Sequence, residues 1–261
     1  MPAPRPKVAP AAALALGLAA LAALSPTGSG PLGGSAGTTV PLAGLTGPEV
    51  LHRALSATKA APSLRLDVTR SRDGGSSTRA FLAVGADGRC AGTLTVGTTG
   101  TMELIRTGDE AYVRFDEAYL RVERAGGGRG SPQRTERVLT MLGGRWLRTD
   151  PADRGPADGP DPCDLDALLA GVEASAGSAR RAGLTTVDGR RALKLTASAG
   201  GATTTAYVAA EGEPYLLRTE TRGGAAPGTV STVSFRASDG PVAARPPAPA
   251  DVVDLGTPGG S

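Results

Sequence analysis

The chain has 261 residues and a formal net charge of +3, of which Arg5 and Lys7 near the start supply two. The remainder is close to neutral, and aromatic residues make up only 3% of the chain. Sequence-independent binding of nucleic acid needs clustered positive charge or aromatic stacking platforms, so the composition excludes that class of partner. The length leaves room for one domain with a sizeable core.

The start of the chain predicts an export signal. Two basic residues precede an apolar run from Val8 to Leu24, and a Gly/Ser/Pro-rich stretch follows. The run is shorter than the roughly 20 residues of a spanning helix, so a cleaved signal is favoured, with a retained anchor as the alternative. We expect a signal peptide or apolar segment at 1–24, a linker at 25–41, a folded domain at 42–255 and a flexible tail at 256–261.

The first folded element is predicted to be a helix over residues 47–61. Thr46 and Glu49 have the spacing of a capping box, and a proline stands in the first turn. The pattern then changes to strict alternation of apolar and polar residues, beginning with Leu64, Leu66 and Val68. Alternating stretches separated by short Gly- and Asp-containing turns continue to Phe115, which predicts an antiparallel meander.

The middle of the chain predicts helices at 131–142 and 163–172, separated by a loop rich in Pro, Asp and Gly. The second half returns to strands at 184–187, 193–197, 203–209, 214–220 and 229–235, and the Pro/Ala-rich segment from Pro241 to Pro249 is extended. The predicted fold class is α+β. One large curved antiparallel sheet, a half-barrel, has helices covering its concave face and enclosing an apolar interior.

Cys90 and Cys163 carry the strongest site-level signal in the sequence. An exported chain meets oxidising conditions, so we expect these two residues to form a disulfide. Two unpaired thiols are the alternative. A redox role is disfavoured because the two cysteines do not form a C-x-x-C motif.

Several apparent catalytic motifs lack the context that their chemistry needs. A G-x-S-x-G match at 33–37 and a G-x-G-x-x-G match from Gly28 to Gly33 both lie in the linker, without a preceding strand. His52 is the only histidine, and we expect it at the flank of the first helix. The sequence therefore predicts no catalytic residues and no cofactor.

Clustered acids offer two further candidate sites. Asp158, Asp161, Asp164 and Asp166 are close in sequence, but their spacing fits no metal-binding loop. We expect helix capping from Asp161 and Asp164 and no bound metal. The acids of the first meander and the following segment are expected on its solvated face rather than in a hydrolase site. They are Glu103, Glu110, Asp116, Glu117 and Glu123.

Five short segments, in this order, resemble the actinobacterial exported lipoproteins of the LolA-like and LppX/LprG type. They are 41–45, 88–93, 142–146, 163–166 and 212–217. The resemblance implies a half-barrel sheet over helices and binding of acyl chains or lipoprotein anchors in the cell envelope. It also implies a lipid anchor, but Leu24 stands where the anchoring cysteine would be.

The leading hypothesis is a non-enzymatic, exported binder or carrier of a lipid or other apolar ligand, with membrane association possible and a protein partner unknown. The alternatives are an envelope sensor or interaction module with the same fold, and an enzyme. Each candidate lining residue could also belong to an ordinary core. These residues are Leu66, Val68, Leu82, Leu94, Leu104, Val113, Leu139, Leu142 and Trp146.

Overall fold

A computed structural model of the protein describes residues 42–75, 77–97, 100–126, 132–150, 161–224 and 228–253. The predicted signal, the linker, the tail, the two glycine-containing motifs and Asp158 lie outside the described residues.

Twelve strands form one sheet in the described part of the chain. Their bounds are β1 Ser63–Arg72, β2 Thr78–Gly85, β3 Arg89–Val96, β4 Gly100–Thr107, β5 Ala111–Phe115, β6 Trp146–Thr149, β7 Arg180–Val187, β8 Arg190–Ala199, β9 Ala202–Ala209, β10 Leu216–Gly223, β11 Thr229–Ser238 and β12 Val252–Val253. The order across the sheet is β12-β6-β5-β4-β3-β2-β1-β11-β10-β9-β8-β7. Apart from the parallel β12–β6 pair, neighbouring strands are antiparallel.

The two predicted meanders join through β1 and β11, which are distant in sequence. Leu66 pairs with Phe235 and Val68 with Val233, so apolar residues of both strands point to the same face. This pairing makes a single sheet and confirms the predicted α+β architecture with one large antiparallel sheet.

Four α-helices accompany the sheet: α1 Gly47–Lys59, α2 Glu117–Gly126, α3 Pro132–Leu142 and α4 Leu165–Ser175. The predicted capping box is present, because Thr46 accepts a hydrogen bond from the Glu49 amide while the Glu49 carboxylate accepts one from the Thr46 amide. Helix α2 was not predicted. Asp116 caps it by accepting from the Tyr119 amide at 2.6 Å.

We call the sheet face that carries Leu66 and Leu82 the inner face, and the opposite one the outer face. Buried side chains of α1 and α4, such as Leu51 and Leu169, share one core cluster with the inner face. Tyr119 of α2 joins the same cluster. Helices α1, α2 and α4 therefore bury the inner face, whereas α3, which was also expected to cover it, packs against α2. A smaller cluster around Val187, Ala192 and Leu217 lies on the outer face.

Candidate ligand-binding site

A disulfide between Cys90 and Cys163 fixes the start of α4 to strand β3. The two Cα atoms are 5.8 Å apart, and both side chains are buried. The bond predicted from the sequence is therefore present in the structure, and it holds the segment before α4 against one end of the inner face.

Two aspartates shape the turn that leads into α4. Asp164 is the N-cap, and its side chain accepts from the Ala167 amide at 3.0 Å. Asp161 accepts from the Cys163 amide at 2.8 Å and forms an ion pair with Arg106 of β4. The predicted capping role is confirmed for Asp164, and the helix begins two residues later than predicted, at Leu165.

A cleft of about 480 Å³ opens between this turn, the end of α1 and the end of the inner face where β1 begins and β2 ends. Its apolar wall includes Leu64, Val84 and Leu165. Its polar rim is made by Lys59, Arg106, Asp161, Asp164 and Asp166. A volume of this size lies within the usual range of small-molecule sites, and its lining is more polar than the mainly apolar lining of most such sites.

The polar rim is tied together by ion pairs between elements. Lys59 at the end of α1 contacts Asp166 at 2.6 Å and also Glu173, both on α4. The hydrogen bonds that Lys59 donates to Asp166 and then to Glu173 raise the pKa of Lys59 above its ordinary value of 10.5. The lysine therefore stays charged and links the two helices beside the cleft.

Four of the nine predicted lining residues, Leu66, Leu82, Leu94 and Leu104, lie together on the inner face, buried in the core cluster. Val68 and Val113 are half-buried and pack against the same cluster. The structure thus brings six of the nine onto one surface, although none of them lines the 480 Å³ cleft.

The other three predicted residues lie elsewhere. Leu139 and Leu142 are half-buried on α3, which packs against α2. Trp146 of β6 lies opposite Arg114 of β5. Arg114 is next to Val113, which points to the inner face, so Arg114 and Trp146 point to the outer face. The Arg114 guanidinium lies 4.6 Å from the centre of the Trp146 ring and also bonds Glu103. Trp146 is therefore part of an outer-face cluster.

Several of the described residues weighed for catalysis have structural partners or are exposed, and the side chain of Glu123 lies outside the description. His52 is exposed on α1. Glu103 pairs with Arg114, Glu110 accepts from the Tyr112 hydroxyl, and Glu117 pairs with Arg121. Within the described residues, no group of three or more His, Cys, Asp or Glu side chains is arranged to hold a metal ion.

The cleft residues themselves were missed as a site from the sequence. Leu64 and Val84 read as ordinary strand positions, and the only available signal was that Leu165 follows Cys163 closely. These residues come together because the disulfide holds the segment before α4 at the strand ends that carry Leu64 and Val84.

No described helix is both long enough and apolar enough to cross a membrane.

The comparison with solved structures shows that this chain has the fold of LprF. LprF from Mycobacterium bovis is 16% identical, with a TM-score of 0.50 over 77% of this chain and 97% of LprF. The lipoprotein LppX from Mycobacterium tuberculosis is also 16% identical, with a TM-score of 0.45 over 76% of this chain and 97% of that one. A LolA superfamily protein from Nitrosomonas europaea is 8% identical, with a TM-score of 0.26 over 74% and 92%.

No family model matches the sequence, and no curated protein matches it. At these identities the likeness to LprF shows the fold alone. The fold expected from the resemblance of the sequence is therefore confirmed, and the function must be argued from the site.

Proposed function

We propose that this is an exported, non-enzymatic protein that binds a lipid or another apolar ligand between the sheet and the helices. The observation that carries the proposal is the 480 Å³ cleft, whose apolar wall meets the inner face beside the disulfide. The ligand's polar head lies at the charged rim, and its chain runs against Leu64, Val84 and Leu165.

The energetics suit a chain-like ligand. Each methylene taken out of water contributes about 0.8 kcal/mol, so a chain of ordinary length needs no specific polar contacts along the wall. From the cleft the inner face continues to half-buried side chains such as Val68 and Val113. We propose that these residues, with the predicted leucines around them, extend the ligand surface inward.

The rim indicates which head group to use as a probe. Three carboxylates and two cations line it, and Lys59 and Arg106 already have acidic partners. A neutral head group avoids repulsion by the excess carboxylate, so a fluorophore-labelled monoacylglycerol is the appropriate probe.

Fluorescence titration with this probe tests the proposal. We expect saturable binding of one molecule per chain, and we expect Leu165→Trp to weaken it because the larger ring fills the cleft. Leu184→Trp is the matched control, because Leu184 is 63% exposed on β7 and does not line the cleft. Absence of saturable binding, or equal loss in both variants, would count against the proposal.

A protein-binding sensor with the same fold is the second candidate. The observation in its favour is that Leu66 and Leu82 are only 3% and 4% exposed, which is typical of a filled interior. In that case a soluble domain would bind no acyl probe and would bind one envelope protein in a fixed ratio. Pull-down from envelope extracts, read for both lipid and protein, separates the two functions.

A further inference from the structure

The two edges of the sheet are protected very differently. At one edge β12 has only two residues, Val252 and Val253, which offers little backbone for further pairing. At the other edge β7 has eight residues, Arg180–Val187, and pairs only with β8. All of its residues except Val187 are exposed. Within the described chain, β7 also contacts α1, and Arg181 donates to the carbonyl oxygens of Leu42 and Leu45, but no further strand pairs with its free edge.

An open edge of this length has an unpaired row of backbone donors and acceptors. Proteins usually blunt such edges with charged side chains, Pro, bulges, a short strand or a cover. β7 has Arg180 and Arg181 at its start but no Pro, and its centre carries Leu184 with 63% of its surface exposed, followed by residues without charge. A bulge between Arg181 and Leu184 is the only interruption of its pairing with β8. The edge is therefore open to strand addition.

A positively charged side chain lies near each end of this edge. Arg180 is opposite Thr196 of β8, and Arg190 lies on the same face of β8 at the far end of β7. Both side chains are exposed, and neither has an acidic partner in the part of the chain that the structure describes. Two acids of this half of the sheet have other partners, since Asp188 pairs with Arg218 and Glu211 pairs with Arg191.

We propose that β7 receives an extended segment of a partner protein that carries acidic residues at both ends. The main chain of the segment continues the sheet, and its acidic side chains pair with Arg180 and Arg190. A second copy of this chain fits less well. If the β7 strands of two copies paired antiparallel, Arg180 of one copy would lie near Arg190 of the other at each end. These like charges would repel each other. This inference does not depend on ligand binding in the cleft.

The test uses a labelled peptide matched to β7. The peptide has seven residues, so that the glutamates at its two ends point to the same face of the added strand, with alternating valine and threonine between them. A control peptide has lysine at each end. We expect fluorescence anisotropy to show about tenfold tighter binding of the acidic peptide, as two cross-strand ion pairs would give. Hydrogen exchange should show slower exchange of β7 amides when the acidic peptide is bound.

Charge-reversed variants locate the binding. The double variant Arg180→Glu, Arg190→Glu should weaken binding of the acidic peptide about tenfold and improve binding of the lysine peptide. Arg65→Glu is the matched control, because Arg65 is an exposed arginine on β1 in the middle of the sheet and should have no effect. Equal binding of the two peptides, or no saturable binding, would overturn the proposal. Slow exchange of β7 amides without peptide, in a protein that sediments as a dimer, would also overturn it.

Discussion

Loss of the Cys90–Cys163 disulfide should lower the free energy of unfolding by about 4 kcal/mol. The bond joins residues 73 positions apart, and the entropy of closing so long a loop in the unfolded chain gives this figure. Both side chains are buried in the folded state, so alanine at each position also loses a little packing. The effect is carried mainly by the unfolded state, which becomes less constrained.

Urea unfolding, followed by circular dichroism, measures the change. The variant Cys90→Ala, Cys163→Ala should show a lower midpoint than the oxidised protein, and its m-value should rise because the unfolded chain exposes more surface. The unmodified protein in reducing buffer is the matched control, since the same loop is opened without changing a side chain. Its midpoint should approach that of the variant.

A loss below about 1 kcal/mol with an unchanged m-value would refute this reasoning. It would mean that the loop is already constrained in the unfolded state, or that the bond does not form. Thiol labelling of the unfolded, unreduced protein distinguishes these two cases.

Three further predictions concern the helices. Thr58→Val should lower stability by about 1–3 kcal/mol, because the buried Thr58 hydroxyl accepts from the Leu216 amide at 2.9 Å and valine leaves that donor unpaired. Gly47→Ala should destabilise, since a Cβ there would lie 2.2 Å from a backbone oxygen, whereas Gly171→Ala meets nothing within 4 Å and should stabilise by up to about 1 kcal/mol. Hydrogen bonds from the backbone and side chain of the N-cap lower the pKa of Glu49, so the stability advantage over Glu49→Gln should be present above pH 4.5 and be lost as pH falls through the lowered pKa.

Each of these predictions has a clear contrary result in thermal or urea unfolding. Thr58→Ser keeps the hydroxyl and should be close to neutral, so equal losses for serine and valine would contradict the hydrogen-bond argument. Similar effects of alanine at both glycines would contradict the close approach at Gly47. An advantage of Glu49 that persists undiminished at pH 2 would contradict its dependence on the carboxylate charge.

The strands and their inner face could be predicted because the signal is local. Leu64, Leu66 and Val68 alternate with polar residues, and period-2 alternation places such residues on one face of a strand. The capping box at Thr46 and Glu49 is likewise contained within four residues. These features require no knowledge of distant parts of the chain.

Features that depend on distant pairing could not be read in this way. The outer-face position of Trp146 follows from the register of β6 against β5, which is set across a helical insert. The pairing of Val252 with Trp146 depends on the path of the C-terminal segment after β11. Helix α2 was missed because its apolar residues are few and a Gly-rich segment follows at once.

In the candidate site, too, some features could be predicted from the sequence and others could not. Both cysteines were identifiable, because a pair of cysteines in an exported chain has a simple chemical reading. The cleft was not identifiable, since Leu64, Val84 and Leu165 come together only after the sheet has formed and the disulfide has fixed α4.

Native mass spectrometry of the protein purified from its own host tests the central claim most directly. We expect one acyl-chain-containing molecule bound per chain, and a clear loss of it in Leu165→Trp relative to Leu184→Trp. A ligand-free mass that stays unchanged after incubation with the monoacylglycerol probe would contradict it.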